Sequence, residues 1–372
     1  MLQTTKPPFR AEHIGSLLRP PSLLNLRARF SRGEIDQAAL TKAEDQAIKD
    51  AVALQERVGL KFATDGEYRR RSYHSFFYSQ LGDISIDTVG GADAPGDATG
   101  HRVPQPVAVI KSRVRWTKPI HVADFKFIAA HTKLVPKITI PGPCALHFRG
   151  GDQAVLKSEY KDLDQFWDDT VEAFGHELKA LADAGCTYVQ IDETAFAKFG
   201  DPEVQAYLKA RGDDWSTLID KYVAVTNRIL KNAPPAMRIG MHLCRGNRGG
   251  SWHSEGSYDS VADRLFNALN IAFYFLEYDS PRAGTFTPLR LLPRHKIAVL
   301  GIVSTKTPVM EDLAAMKKRI EEATRHLDLN CLAVSPQCGF ASLDTGNPLS
   351  PEAQEQKLRL VDELAREIWG EA

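Results

Sequence analysis

The clearest chemical signal in the sequence is His242-Leu243-Cys244, at the end of a short apolar run. Residues two apart on a β-strand point to the same side, so the imidazole and the thiol would converge on one point. Zn²⁺ accepts both kinds of ligand. If nearby strands of a closed barrel brought Glu277 and Cys338 to that point, they would complete a tetrahedron. The alternative is that Cys244 and Cys338 are small buried core residues and that His242 is a hydrogen-bonded core histidine.

Other polar residues also stand where apolar runs end. Enzymes built on parallel β/α barrels place their sites at the carboxyl ends of the strands, so we expect these side chains to lie together. His253 and the loop at residues 246–250 are weaker candidates, because the loop matches no nucleotide-binding fingerprint. The polar residues at strand ends are Ser16, Asp65, Glu67, Asp192, Glu193 and Lys306.

Eight short apolar runs alternate with helical patterns along the chain. Several of the runs are nearly continuous in apolar character, as expected of parallel strands that are covered on both faces. Eight such units over ~250 residues or more predict an α/β fold of the (β/α)8 (TIM) barrel type, with a doubly wound sheet as the alternative. The predicted strands are residues 13–18, 61–67, 137–141, 188–193, 238–244, 272–278, 296–304 and 329–335.

One stretch, residues 82–133, interrupts this alternation. It contains a Gly/Asp-rich piece at 90–100, followed by an alternating run at 107–116. We interpret it as a loop and a hairpin inserted after the second strand, in the position of a lid. No linker separates two domains, so we expect residues 1–372 to form a single catalytic barrel domain.

Composition excludes several classes of protein. Lys and Arg number 47 and Asp and Glu number 47, so there is no basic excess to neutralise a nucleic-acid backbone. No apolar run reaches the ~18 residues of a membrane span, and the first ten residues lack the apolar stretch of a signal peptide. We therefore expect a cytoplasmic protein with no nucleic-acid or membrane partner.

Five cysteines are an odd number and few for 372 residues, which argues against a disulfide framework. Cys144, Cys186 and Cys331 lie within or beside apolar runs. For these three we favour ordinary buried thiols over ligands.

Together these motifs resemble the catalytic barrel of cobalamin-independent methionine synthase, and in particular its short single-barrel relatives. The resemblance covers essentially the whole chain. Any one motif is weak, but their order and their positions at strand ends are specific. The motifs are Ile14-Gly15-Ser16, Asp65-Gly66-Glu67, Gln190-Ile191-Asp192-Glu193, His242-Leu243-Cys244, Glu277 and Pro336-Gln337-Cys338-Gly339.

The resemblance implies a barrel of the type shared with uroporphyrinogen decarboxylase, and a zinc-dependent methyl transfer to the thiol of homocysteine. It implies that Asp192 binds the substrate ammonium, Ser16 meets its carboxylate and Glu67 helps to hold the amino acid. With these we count His13 and Arg245 as substrate-binding residues. The implied zinc ligands are His242, Cys244, Glu277 and Cys338. As candidate catalytic residues we name Glu67, Asp192 and Lys306.

The sequence also departs from the family pattern. The full-length family enzyme has a second barrel that helps to hold its folate donor, whereas we find one barrel here, so folate and other methyl donors both remain open. Arg245 stands where the family usually has a tyrosine, and Lys306 stands near the place of a proton-donating histidine. The oligomeric state stays open.

Three alternatives to methyl transfer follow from the same residues. One is an epoxyalkane:coenzyme M transferase type of thiol addition to an epoxide, whose anionic thiol would suit Arg10 and Arg245. Another is a non-catalytic protein with a closed structural zinc site, although structural sites usually come from closely spaced pairs on loops. Decarboxylation of the uroporphyrinogen type needs no metal, so the ligand set argues against it.

Overall fold

The computed structural model describes residues 8–89 and 105–371 of the chain. Ten strands lie in this part of the chain, and most of them are fully buried, as their continuous apolar sequences require. The strands are β1 (Phe62–Ala63), β2 (Ile84–Val89), β3 (Gln105–Ile110), β4 (Val135–Pro136), β5 (Ile138–Pro141), β6 (Tyr188–Glu193), β7 (Arg238–Leu243), β8 (Phe273–Glu277), β9 (Ile297–Val303) and β10 (Leu332–Pro336).

Six of these strands form one parallel sheet in the order β5-β6-β7-β8-β9-β10. At its far edge, β10 continues to the N-terminal segment through a parallel bridge between Ala11 and Val334. At its near edge, β4 runs into β5 and pairs in parallel with β1. Between the first segment and β1, the loops that follow them are joined by a hydrogen bond from the amide of Leu17 to the carbonyl of Gly66 at 3.1 Å. The predicted (β/α)8 barrel is confirmed.

The first strand differs from its predicted bounds of 13–18. Pairing with β10 occurs around Ala11, where the amide of Glu12 donates to the carbonyl of Val334 at 2.8 Å. The chain leaves the extended conformation at Gly15, which has a φ of +127°. A side chain there would lie 2.6 Å from the Cγ2 atom of Thr139, so only glycine fits. Residues after 13 therefore form a loop above the barrel.

Thirteen α-helices are assigned in the described ranges. The longest occupy the stretches of helical pattern between the predicted strands. Helices α2, α7, α12 and α13 each follow an Asp or Ser whose side chain accepts a hydrogen bond from the backbone amide three residues later. The helices are α1 (Pro21–Ser31), α2 (Gln37–Arg57), α3 (Ser75–Ser79), α4 (Val122–His131), α5 (Ala145–Phe148), α6 (Gly151–Leu156), α7 (Leu163–Asp183), α8 (Ala195–Lys198), α9 (Pro202–Arg211), α10 (Trp215–Leu230), α11 (Ala262–Ala268), α12 (Leu313–Thr324) and α13 (Pro351–Trp369).

The predicted hairpin after the second barrel strand is present as the antiparallel pair β2–β3. The Gly/Asp-rich piece at 90–100 lies outside the described residues. The predicted insertion of 82–133 is too long, because its last part forms α4, which packs against α2 and α7 as a helix of the outer ring. None of the helices in the described part of the chain has the length and apolar character of a membrane span.

A buried ion pair crosses the interior of the barrel at the amino ends of its strands. The Nζ atom of Lys137 lies 3.2 Å from the Oε2 atom of Glu12, and both side chains are inaccessible to solvent. Tyr188 donates its hydroxyl to the other Glu12 oxygen at 2.5 Å. Burial raises the pKa of Glu12 and lowers that of Lys137, which opposes charge on both partners. Through Lys137 and Tyr188, the Glu12 carboxyl links the first, third and fourth strands of the barrel.

Candidate metal centre and active site

Four potential metal ligands converge at the carboxyl end of the barrel. His242 lies at the end of β7, Cys244 directly after it, Glu277 at the end of β8 and Cys338 just after β10. Their ligand atoms all lie within 4.8 Å of one another, and all four residues are buried. The Sγ atoms of Cys244 and Cys338 are 3.5 Å apart. The structure thus brings together the four residues singled out in the sequence.

The chemistry of this cluster fits a metal. Both ring nitrogens of His242 are buried and neither makes a well-formed hydrogen bond, which is costly unless another partner satisfies them. The hydrogen bond between the two thiols lowers the pKa of Cys338 well below its usual value and raises that of Cys244, so the pair holds one thiolate. One imidazole, two cysteine sulfurs and one carboxylate form a donor set that suits Zn²⁺.

The Glu277 carboxylate is held from both sides by protein groups. Its Oε1 atom accepts the backbone amide of Arg245 at 2.7 Å, and its Oε2 atom accepts the Arg282 guanidinium at 2.9 Å. The Nζ atom of Lys306 lies 3.7 Å from Oε2. Burial alone would raise the pKa of Glu277, but Lys306 and Arg282 outweigh it and lower the pKa to about 2. The carboxylate is therefore ionised and already paired.

A cleft of about 700 Å³, including its open mouth, lies over this cluster. Three of the four potential ligands line it, while Glu277 lies behind them. The wall also carries polar side chains from the fourth barrel strand and from the loops after the first and second strands. The residues named in the sequence analysis that line the cleft are Ile14, Ser16, Glu67, Asp192, His242, Cys244, Gly246, Asn247, Arg248, His253, Cys338 and Gly339.

Glu67 has two unusual features at the cleft wall. Its φ of 62° makes it the one non-glycine residue with positive φ in the described ranges. Its Oε1 atom accepts the hydroxyl of Thr139 at 2.9 Å, but its Oε2 atom is buried without a hydrogen-bond partner. Backbone strain beside an unsatisfied carboxylate oxygen is typical of a functional site.

Asp192 and Ser16 are positioned by their neighbours. The Gln190 amide donates to Asp192 and to the carbonyl of Ile14, both at 2.6 Å, and so links the fourth strand to the loop after the first. Burial, together with the nearby Glu67 charge, raises the pKa of Asp192 to about 7 although His242 acts in the opposite direction. Ser16 lies very close to Gly339: a Cβ atom added to Gly339 would lie 1.9 Å from the Oγ atom of Ser16.

Residues 9–350 match the model of a known family, the catalytic domain of cobalamin-independent synthase. The chain belongs to this family. The match extends over the whole barrel, from its first paired segment to the start of α13.

Individual relatives agree with this assignment. The uncharacterized protein YxjG of Bacillus subtilis is 36% identical over 99% of this chain and 97% of its own length. The solved structure of a candidate vitamin-B12 independent methionine synthase from Listeria monocytogenes has a TM-score of 0.76 and 34% identity, and the similarity covers 98% of this chain and 99% of that one. The 5-methyltetrahydropteroyltriglutamate–homocysteine methyltransferase of Thermosynechococcus vestitus is 23% identical over 91% of this chain but only 41% of its own length.

Three predicted site residues do not line the cleft of this family member. His13 is buried beneath it, where it hydrogen-bonds Gln55 at 2.9 Å and stacks on Phe62. The Arg245 guanidinium turns away and lies 3.9 Å from the ring centre of Tyr258. Lys306 faces the carboxylates behind the cluster. Their residue types suggested function, but His13 and Lys306 are paired with protein groups. The Arg245 guanidinium donates through Nη1 to the carbonyl of Glu277, while its Nε and Nη2 atoms are buried without a hydrogen-bond partner in the described residues.

Arg10 and Glu193 also have structural partners. Arg10 donates to the carbonyls of Asn330 and Leu332 at the opposite end of the barrel. Glu193, next to Asp192 in sequence, accepts the backbone amides of Ala195 and Cys144. Glu193 thus anchors the turns after β5 and β6 and does not face the cleft.

Several residues of the cleft wall were missed in the sequence. They lie on the turns after the barrel strands and not on the strands themselves, so no periodicity marks them. Cys144, Cys186 and Cys331 are buried and lie outside the cluster, as expected of ordinary buried thiols. The wall residues not predicted are Tyr73, His74, Arg149, Thr194, Lys198, Ser342 and Leu343. Asn247 and Arg248 belong to the loop at 246–250, which the sequence analysis named as a weaker candidate.

Proposed function

We propose that this protein is a zinc-dependent S-methyltransferase that methylates a small thiol, with homocysteine as the substrate. One observation carries the proposal: a buried cluster of one histidine, two cysteines and one glutamate opens onto a cleft with acidic side chains from other strands. Membership of the methionine synthase family supports methyl transfer as the reaction.

We assign the metal to His242, Cys244, Glu277 and Cys338. When bound, Zn²⁺ lowers the pKa of a coordinated thiol, so that the substrate sulfur is held as a nucleophilic thiolate. The amide of Gly246 lies 3.2 Å from the Cys244 sulfur and donates to it, which stabilises the anionic form of that ligand. The donors on Glu277 keep this carboxylate paired whether or not it serves as a ligand, which suits a site that must accept a substrate thiol.

The amino-acid end of the substrate is held by the acidic wall in this proposal. Glu67 and Asp192 bind the ammonium group, and the unpartnered Glu67 oxygen supplies an acceptor for it. Ser16 donates to the carboxylate. Ser16 and Glu67 lie in the loops after the first and second strands, and Asp192 lies on the fourth strand. Their buried positions exclude water from the substrate.

Lys306 acts through the metal centre and not on the methyl donor. Its ammonium group lies 3.7 Å from Glu277 and 3.5 Å from Asp279, and it does not line the cleft. Its positive charge offsets part of the negative charge that two thiolates and a carboxylate bring to the site. A proton for the leaving group of the donor must therefore come from a group that faces the cleft.

The structural zinc site and the addition of a thiol to an epoxide receive less support. A closed structural zinc site does not explain why His242, Cys244 and Cys338 line an open cleft. Addition of an anionic thiol to an epoxide relied on Arg10 and Arg245, and both guanidinium groups point away from the cleft.

Metal analysis tests the metal site first. We expect about one zinc per chain in the purified or zinc-reconstituted protein, almost none in Cys338→Ser, and an unchanged content in the control Cys331→Ser, which is buried outside the cluster. A folded wild-type protein that holds no zinc after reconstitution would show that the assignment is wrong.

Thiol binding and turnover test the reaction. Homocysteine should change the visible spectrum of the cobalt-substituted protein, because it enters the coordination sphere. Methionine should then form from homocysteine and methyltetrahydrofolate, or with another methyl donor in a screen. A spectrum that no thiol perturbs would favour the structural zinc site, and consumption of coenzyme M with epoxypropane would favour the epoxide reaction.

A further inference from the structure

One side of the cleft carries three cationic side chains that the proposed reaction does not use. We call these residues, Arg149, Lys198 and Arg248, the basic rim. Arg149 follows α5 in the turn after β5, Lys198 ends α8 after β6, and Arg248 lies in the loop after β7. All three line the same cleft. Because β5, β6 and β7 are neighbours in the barrel, the topology places their three loops side by side.

Arg149 is half-buried, and its guanidinium is incompletely satisfied. Its Nη1 atom is inaccessible to solvent and has no hydrogen-bond partner in the described part of the chain. Burial lowers the pKa of Arg149, and the groups that act in the opposite direction are tyrosines (Tyr73, Tyr78 and Tyr207), not carboxylates. A buried guanidinium whose surroundings supply no acid is a site for an anion from outside.

Lys198 adds a second buried positive charge. Its side chain is 9% exposed, and its ammonium group lies 5.6 Å from the ring centre of Phe148, the residue before Arg149. Glu193, the nearest acid in sequence, is held by the backbone amides of Ala195 and Cys144. The lysine therefore faces the cleft with its charge only partly compensated.

The combined field of the three cations acts on His74, which lines the same part of the cleft. Burial lowers the pKa of His74 to about 3, and Arg149, Lys198 and Arg248 all act in the same direction. The imidazole is therefore neutral at physiological pH. The mutual repulsion of three neighbouring positive charges raises the free energy of the empty site. A bound anion would reduce that repulsion.

The two sides of the cleft thus differ in charge. Glu67, Asp192 and the cysteine pair form an acidic floor, whereas the three cations form a basic rim. In the proposed reaction the ammonium and carboxylate of the thiol substrate already have partners on the floor and at Ser16. The rim is left for the second substrate.

We propose that Arg149, Lys198 and Arg248 bind an acidic group, a carboxylate, sulfonate or phosphate, on the methyl donor. The planar guanidinium groups can each make two parallel hydrogen bonds to such an oxyanion. The assignment of the group to the donor rests on the proposed function, but the anion site itself does not.

Direct binding tests the site without turnover. Calorimetric titration of the full-length, zinc-loaded protein with glutarate, methanesulfonate and inorganic phosphate should detect binding of at least one of them. We expect the affinity to fall at least tenfold in Arg149→Met and in Lys198→Met, and to be unchanged in the control Arg228→Met, an exposed arginine on α10. Arg149→Lys should keep part of the affinity, and circular dichroism should show that each variant is folded.

The calorimetric titrations can support or overturn the proposed anion site. Wild-type protein that binds none of the three anions, or that binds them equally well after both substitutions, overturns it. If anion binding depends on the cluster but no thiol is methylated, the site stands and the proposed reaction fails.

If the protein turns over a thiol and a methyl donor, steady-state kinetics show which of the two substrates carries the acidic group. We expect Arg149→Met and Lys198→Met to raise KM for the methyl donor at least tenfold, with little change in KM for the thiol. A rise confined to KM for the thiol would place the acidic group on the acceptor and contradict the assignment to the donor. If neither KM changes, the rim does not bind a substrate and the proposal is wrong.

Discussion

At the residue scale, the four potential metal ligands could be predicted from the sequence because strand geometry is regular. His242 and Cys244 are two apart at the end of β7, so their side chains point to the same side. Glu277 and Cys338 stand at the ends of other strands, where the barrel closes around one axis. In contrast, His13 and Arg245 have suitable residue types but are turned to protein partners, and residue type alone does not reveal that orientation.

Glu67 gives a prediction at this scale. Glu67→Gln keeps the size of the side chain and its contact with Thr139 but removes the charge that we assign to the substrate ammonium. We expect KM for the thiol to rise at least tenfold, equivalent to about 1.4 kcal/mol of lost binding. The melting temperature should fall only modestly, because Arg70, which lies 4.0 Å from Glu67, keeps Asp65 as a second carboxylate partner at 3.8 Å.

Steady-state kinetics with Glu172→Gln as the control check this expectation, since Glu172 is exposed on α7. A variant with wild-type KM would show that Glu67 does not contact the substrate.

At the element scale, the close contact between two loops gives a second prediction. A Cβ atom on Gly339, just after β10, would lie 1.9 Å from the Oγ atom of Ser16, which belongs to the loop after the first strand. We expect Gly339→Ala to lower the free energy of unfolding by about 1–3 kcal/mol through overpacking. Urea denaturation measures this loss.

The double variant Ser16→Ala/Gly339→Ala serves as its matched control. It removes the clashing oxygen, so it should recover part of the stability but not the activity. If Gly339→Ala alone is as stable as the wild type, the two loops are not in contact.

The segment after the hairpin is anchored to α7 by a carboxylate, which predicts a pH dependence. Asp169 accepts two hydrogen bonds from Arg113, at 2.6 and 2.7 Å, and one from the hydroxyl of Tyr160. Burial alone would raise the pKa of Asp169, but these partners outweigh it and lower the pKa. A carboxyl whose folded pKa is depressed stabilises the fold above its unfolded pKa of about 3.9 and ceases to do so as the pH falls through the folded value.

We therefore expect Asp169→Asn to be less stable than the wild type at pH 7, and the difference to shrink toward zero as the pH falls below about 4. Urea denaturation at several pH values measures it. Arg113→Met should show the same loss at neutral pH, because it removes the partner. A difference that is independent of pH would exclude the ionised Asp169 as its source.

At the scale of the whole molecule, the ion pair between Lys137 and Glu12 predicts a coupling across the barrel. Lys137→Met leaves the Glu12 carboxyl buried without its partner, and the loss of one member of a buried pair costs about 3–5 kcal/mol. The double variant Lys137→Met/Glu12→Gln has no uncompensated charge, so it should regain much of the free energy of unfolding.

Equilibrium denaturation of the wild type, both single variants and the double variant measures the coupling energy. If Lys137→Met does not fold, recovery of folded protein in the double variant still tests the pair. Equal stabilities of the single and double variants would contradict a coupling between the two charges.

The sequence was enough to predict the barrel, the hairpin and the four potential metal ligands. Each of these depends on local periodicity: buried parallel strands are continuously apolar, exposed hairpin strands alternate, and residues at strand ends face the same end of the barrel. Only the folded structure showed which of the predicted polar residues reach the cleft and which further residues join them. Arg149, Lys198 and Arg248 lie on turns without periodicity, and they come together only because β5, β6 and β7 are neighbours in the closed sheet.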